Sequence, residues 1–228
     1  MSGEQLRDAR QRMGCTQQRA ARRLGVSLAY LSMVEGNRRR VSLRLLSELL
    51  RTYDLPTTAL PVQDTSDGPF DPQELAGVLG ALRYPGFAYL RDSAPRLNPG
   101  SVLLQALRQP SLEPRLAMAL PWLVFEYPDL DWNWLLPHAK FYDLQNRLGF
   151  VVTLARRLAE RHNQLDKVAK LSRVEDSLEH SRLVREDTFC RDALTDAERR
   201  WLRDRRPDDA KHWNLLTNVD AEHLPNVG

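Results

Sequence analysis

Cysteine is almost missing from the 228 residues. Cys15 and Cys190 stand far apart in no metal-ligand spacing, so neither a disulfide framework nor a thiolate metal site is expected, and both are expected as buried or half-buried thiols in a reducing compartment. The five histidines (His138, His162, His180, His212 and His223) are dispersed, and no H-E-x-x-H pair occurs. A glycine-rich phosphate loop, a G-x-S-x-G elbow and a kinase signature are absent as well. These absences argue against an enzyme: no catalytic residue, no metal and no cofactor is assigned. The longest apolar run, residues 116–125, contains Pro121 and is too short to span a bilayer. No apolar stretch follows the arginines at 7, 10 and 12, so no signal peptide is expected and the protein is read as soluble and cytoplasmic. Internal repeats and low-complexity tracts are also missing.

What is present is a basic head on a slightly acidic body. Residues 1–60 hold eleven arginines, no lysine and five acids, a net +6; the remainder holds 22 basic and 25 acidic residues, a net −3. That asymmetry directs any nucleic-acid interest to the head.

Within the head, residues 16–37, TQQRAARRLGVSLAYLSMVEGN, read as two short helices around a tight turn. Ala20, Ala21 and Leu24 recur at helical spacing, Gly25 permits the sharp turn, and Val26 plugs the angle. Ser27 is a natural N-cap whose hydroxyl accepts a free backbone N–H near Tyr30. The second helix buries Leu31 and Val34 and turns Leu28, Ala29, Ser32 and Met33 outward, as required of a helix that enters a major groove. A first helix over 3–13 buries Leu6, Ala9 and Met13 and ends at Gly14. Ser42 caps a further helix whose leucines at 43, 45, 46, 49 and 50 close the small core, with a surplus available for a dimer seam.

The segments LRDARQRMGCTQ, AARRLGVSLAYLSMVEGNRRR and SLRLLSELLRTY together resemble the helix-turn-helix domains of Cro and related phage repressors, the Xre type, over residues 4–60. The resemblance implies a five-helix DNA-binding domain, a buried ion pair between Arg10 and Glu35, and a Thr16–Gln17 pair that caps the second helix and reaches DNA phosphate. It places DNA contacts at Thr16, Gln17, Gln18, Ser27, Leu28, Ala29, Tyr30, Ser32, Met33, Asn37, Arg38, Arg39 and Arg40. The recognition face is poor in the Gln, Asn and Arg that read bases bidentately; Leu28, Ala29 and Met33 can touch thymine methyls. Asn37 takes the left-handed turn that follows. Arg38, Arg39 and Arg40 are a loop suited to phosphate contact, or else a solvated basic turn.

Prolines at 56, 61, 69 and 72 mark a linker over 61–72. A larger helical domain is expected over 73–228, which makes the fold class all-α. It opens with a helix over 72–83, followed by a short one capped by Ser101. Residues 116–150 hold eight of the 17 aromatics and are read as core, or in part as a partner or effector surface formed by Trp122, Tyr127, Trp132 and Trp134 with Trp213. LPWLVFEY is the one tempting strand. Apolar spacing predicts one long helix over 141–171 with Arg156, Arg157 and Arg161 on its wet face, and a mixed helix over 174–185. A capping box at Thr195–Glu198 starts the last helix, and an apolar tail docks on the body or a partner. Glu126, Asp129 and Asp131 form a capping turn or an acidic rim.

The function read from the sequence is a DNA-binding transcriptional regulator, a dimeric repressor that autoregulates its operon at a palindromic double-stranded operator. The alternative is an antitoxin whose body neutralises a cognate toxin. A third hypothesis is an enzyme or nucleotide-binding protein that borrows the head for targeting.

Overall fold

The computed structural model describes residues 3–62, 70–191 and 193–224. The chain divides into two compact units, 1–61 with 95–98 and 62–94 with 99–228. The linker expected over 61–72 falls mostly on residues 63–69, outside the described ones.

The first unit holds α1 (Gly3–Arg12), α2 (Gln17–Arg23), α3 (Leu28–Glu35), α4 (Leu43–Thr52) and a 3₁₀ turn (Thr57–Ala59). The expected fifth helix is thus only that turn. Three helices start at hydroxyl caps: Thr16, Ser27 and Ser42 accept the backbone N–H of Arg19, Tyr30 and Leu45, satisfying amides that have no partner within the helix. Leu6, Ala9, Ala20, Ala21, Leu24, Leu31, Val34, Leu46, Leu49, Leu50, Tyr53 and Leu60 form one core. The α4 leucines at 46, 49 and 50 are consumed by it and Leu45 packs partly against it, so these four are not a surplus. Met13 is the other correction: α1 stops before it, and its side chain is 49 % exposed. Asn98 closes the far end of the unit, donating to the carbonyls of Thr58 and Leu60 at 3.1 and 2.6 Å.

The second unit is built on α9 (Gln145–Arg161), which is buried along nearly all its length. Around it lie α5 (Pro72–Ala81), α6 (Pro99–Leu107), α7 (Pro114–Glu126), α8 (Trp132–Phe141) and α10 (Leu165–Glu179), then α11 (Asp196–Arg205) and α12 (Asp208–His212). α5, α6 and α7 each begin at a proline, whose missing N–H costs nothing at a helix start. Two strands of two residues, β1 (Asp187–Thr188) and β2 (Leu215–Leu216), pair in parallel.

Several expectations are revised. LPWLVFEY is helical, most of it within α7, with Pro121 inside the helix. The single helix over 141–171 is three pieces. Phe141 ends α8, and α9 stops before His162, where Asn163 turns left-handed at φ 53°. Leu165, expected on the buried stripe, opens α10 at 76 % exposure. The mixed helix over 174–185 is the end of α10, which stops at Glu179. The second short helix starts at Pro99, so Ser101 lies inside it. The Thr195–Glu198 capping box forms as read.

The C-terminal segment docks on the body. Trp213 is fully buried, its Nε1–H donating to Thr153 Oγ1 at 2.8 Å. Its ring lies where a side chain on Gly149 would be: a Cβ there would stand 2.4 Å from Cζ3. Arg147 grips the strand region, donating to both Asp187 carboxylate oxygens and to the carbonyls of Leu107 and Gln109. Arg156, expected in water, instead holds Glu175, which also accepts the Thr153 hydroxyl.

Candidate nucleic-acid interface

One ion pair ties the first three helices together. Arg10 of α1 donates from Nε and Nη2 to the two carboxylate oxygens of Glu35 of α3, at 2.7 and 2.9 Å. Its Nη1 donates to the Cys15 carbonyl at 2.8 Å, and Gln17 of α2 donates to Glu35 at 3.0 Å. Arg10 is 8 % and Glu35 5 % exposed. Glu35 raises the Arg10 pKa above its ordinary value, chiefly through the hydrogen bond and against the opposing effect of burial. The Tyr53 phenol is buried and pushed up to about 12, mainly by loss of water and then by Glu35.

The turn between α2 and α3 rests on Gly25, at φ 65°. Past α3, Asn37 sits at φ 56°, as the left-handed turn requires. Its side chain also ties the end of α3 to the start of α1, where Oδ1 accepts the Gly3 N–H at 2.6 Å. Gly3 is pressed so closely onto the end of α3 that a Cβ would lie 2.3 Å from the Val34 carbonyl oxygen.

With α3 held from behind, its outer surface carries Leu28 (47 % exposed), Ala29 and Ser32, with Met33 half-exposed. Tyr30 packs partly on the core, and its ring lies under the Arg39 guanidinium at 5.2 Å. Arg38, Arg39, Arg40 and Gln18 are exposed. A cleft of about 410 Å³ runs beside α3, lined by Arg7, Arg10, Gln17, Ser32, Met33 and Arg38 among others. An apolar helix face edged by guanidinium groups, backed by a buried ion pair, is suited to a groove with phosphate on either side. The sequence of residues 6–60 matches the helix-turn-helix family model. Residues 6–60 are a helix-turn-helix domain of the Cro and phage-repressor type. Such a domain belongs to DNA-binding transcriptional regulators. No curated protein and no solved structure matches the chain.

In the helix-turn-helix domain, the candidate DNA contacts therefore divide. Leu28, Ala29, Ser32, Met33, Gln18 and Arg38–Arg40 present side chains outward. Thr16 and Ser27 are caps, Gln17 is drawn to Glu35, and Asn37 is engaged with Gly3. Arg7 lines the cleft although sequence reasoning passed over it; its placement one turn before Arg10 on α1 was the available signal.

The partner or effector candidates of the second unit do not form one surface. Trp122 is 3 % exposed and packs edge-on to Tyr84, and Trp213 is wholly buried; both are core residues. Tyr127 and Trp132, half-buried, donate to the carbonyls of Leu82 and Pro128. Trp134 stacks on His138 at 4.3 Å. In the acidic trio, Asp131 caps α8 and Asp129 pairs with Lys170. Among the described residues no group of acidic, Cys or His side chains could hold a metal ion, and no helix is long and apolar enough to cross a membrane.

Proposed function

We propose that the protein is a dimeric repressor that binds a palindromic operator through α3 and regulates its own operon. The observation that carries this reading is the outward face of α3, bordered by Arg38, Arg39 and Arg40. The dimer follows from scale. Four side chains on one short helix can address only a few base pairs, each worth roughly 1–3 kcal/mol, so useful selectivity calls for two half-sites about one helical turn apart. The test is fluorescence anisotropy of the full-length protein on duplex DNA from its own promoter. Tight, salt-dependent binding with two protomers per duplex is expected. Arg38→Ala with Arg39→Ala should weaken binding to every duplex and flatten the salt dependence by roughly one to two in slope. Unchanged slope in that variant would remove these arginines from the interface.

A second reading, an antitoxin whose body neutralises a partner protein, is favoured by one observation. Phe141 at the end of α8 is 80 % exposed and edge-on to Tyr142, one and two turns beyond the half-buried His138 and Trp134. A stoichiometric protein that co-purifies with the full chain and is lost in Phe141→Asp would support it; loss of Trp122 and Trp213 to the core narrows its basis to this patch.

A further inference from the structure

We propose that α3 selects its operator by the C5 methyl groups of thymine instead of by paired hydrogen bonds to base edges; this rests on the reading of α3 as the groove helix. In the major groove each base pair offers polar atoms and, at thymine, a methyl group. A carboxylate can accept from cytosine, but Glu35, the one on α3, is buried against Arg10; selecting among the other polar atoms takes a side chain with two fixed handles, an amide or a guanidinium. α3 has neither: its sequence is LAYLSMVE. The outward positions 28, 29, 32 and 33 share one face and carry Leu, Ala, Ser and Met. A serine hydroxyl can donate or accept, so Ser32 alone does not discriminate between partners.

The polar groups around this face are partly committed. The Gln17 amide donates to Glu35, and the Asn37 side-chain Oδ1 accepts from the Gly3 N–H. The Arg39 guanidinium covers the Tyr30 ring. Gln18 on α2, Arg7 on α1, and Arg38 and Arg40 past the end of α3 are exposed; they are the competitors that a test has to separate from the methyl reading. Leu28, meanwhile, leaves nearly half its surface in water at the first position of α3. Contact with a thymine methyl removes apolar surface from both partners at once. The same argument extends to 5-methylcytosine, which places an identical methyl at the same ring position.

The test starts with selection of bound duplexes from a random pool by the full-length protein. In the selected duplex, each thymine is replaced by uracil, and each adenine or guanine by its 7-deaza analogue. Binding is measured by anisotropy at fixed salt. We expect at least one uracil position per half-site to weaken binding about fourfold, the worth of one buried methyl group. Cytosine at that position should bind as poorly, and 5-methylcytosine should recover part of the loss. Leu28→Ala or Met33→Ala should abolish the uracil effect without changing the melting temperature. A larger loss from 7-deaza purines than from any uracil would mean that polar edges are read, by Gln18 or one of the exposed arginines, and overturns the proposal. Selectivity untouched by either series would mean shape readout, and overturns it too. Both outcomes leave the repressor reading standing. Binding with no enriched sequence, or no binding to duplex DNA, would overturn that reading together with the proposal.

Discussion

Replacing Gly149 by alanine sets two effects of opposite sign against each other. In a helix interior the change alone stabilises by about 1 kcal/mol, because glycine loses more freedom on folding. Here the added Cβ would lie 2.4 Å from Cζ3 and 2.5 Å from Cε3 and Cη2 of Trp213, more than an ångström inside ordinary contact. Neither side can yield cheaply. α9 is buried along this stretch, and Trp213 is enclosed and bonded to Thr153. Overpacking that the core absorbs costs about 1–3 kcal/mol; expelling the indole costs about 3–5. With neither side yielding, expulsion governs; less the helix preference, the variant should be less stable by roughly 2–4 kcal/mol, or about 5–15 °C in melting temperature for a protein of this size. The assay is convenient because all five tryptophans lie between residues 122 and 213. Their fluorescence follows the second unit and is blind to the head. In the Gly149→Ala background, Trp213→Leu should cost much less than it does alone, since the two residues contend for one space. An alanine variant that melts at or above the parent would refute the steric argument.

Other expectations concern the head. Arg10→Ala leaves Glu35 buried without its main partner and should destabilise the head by about 3–5 kcal/mol, read as lost amide-exchange protection in α1–α3; unchanged protection would count against the buried pair. Tyr53 makes the head sensitive to alkali. Its folded pKa near 12 lies above the ordinary value of 10, so the stabilisation is intact below pH 10 and is lost as pH rises toward 12. Roughly 2–3 kcal/mol should disappear across that window, and Tyr53→Phe should flatten the dependence.

Within the head, local signals and tertiary structure agree, so much was legible. Ser27 and Ser42 cap because their oxygens reach amides three residues on, a relation fixed within a few residues of sequence. The Arg10–Glu35 pair came only through resemblance, since nothing in a one-dimensional pattern brings positions 25 apart together. The diversion of Gln17 to Glu35 and of Asn37 to Gly3 was hidden for the same reason. In the second unit, apolar spacing runs across Asn163 without a break, and only the left-handed turn there separates α9 from α10. LPWLVFEY shows the reverse difficulty. A short apolar run carries no period that separates strand from buried helix, and the helix was decided by burial on several sides at once. Aromatic residues were ambiguous in kind: Trp213 and Phe141 are alike as letters in a sequence, yet one is enclosed and the other stands in water.

The seat of Trp213 on Gly149 also sets an order of events during synthesis. A chain made from its N-terminus has all of α9 and α10 before Trp213 exists, and the groove over Gly149 stays open to water for that interval. Thr153 then has no indole donor, and β1 has no β2 to pair with. Residues 1–61 and 95–98, which make up the head's compact unit, are all synthesised well before Trp213, so that unit has its whole sequence while the body still lacks its seal.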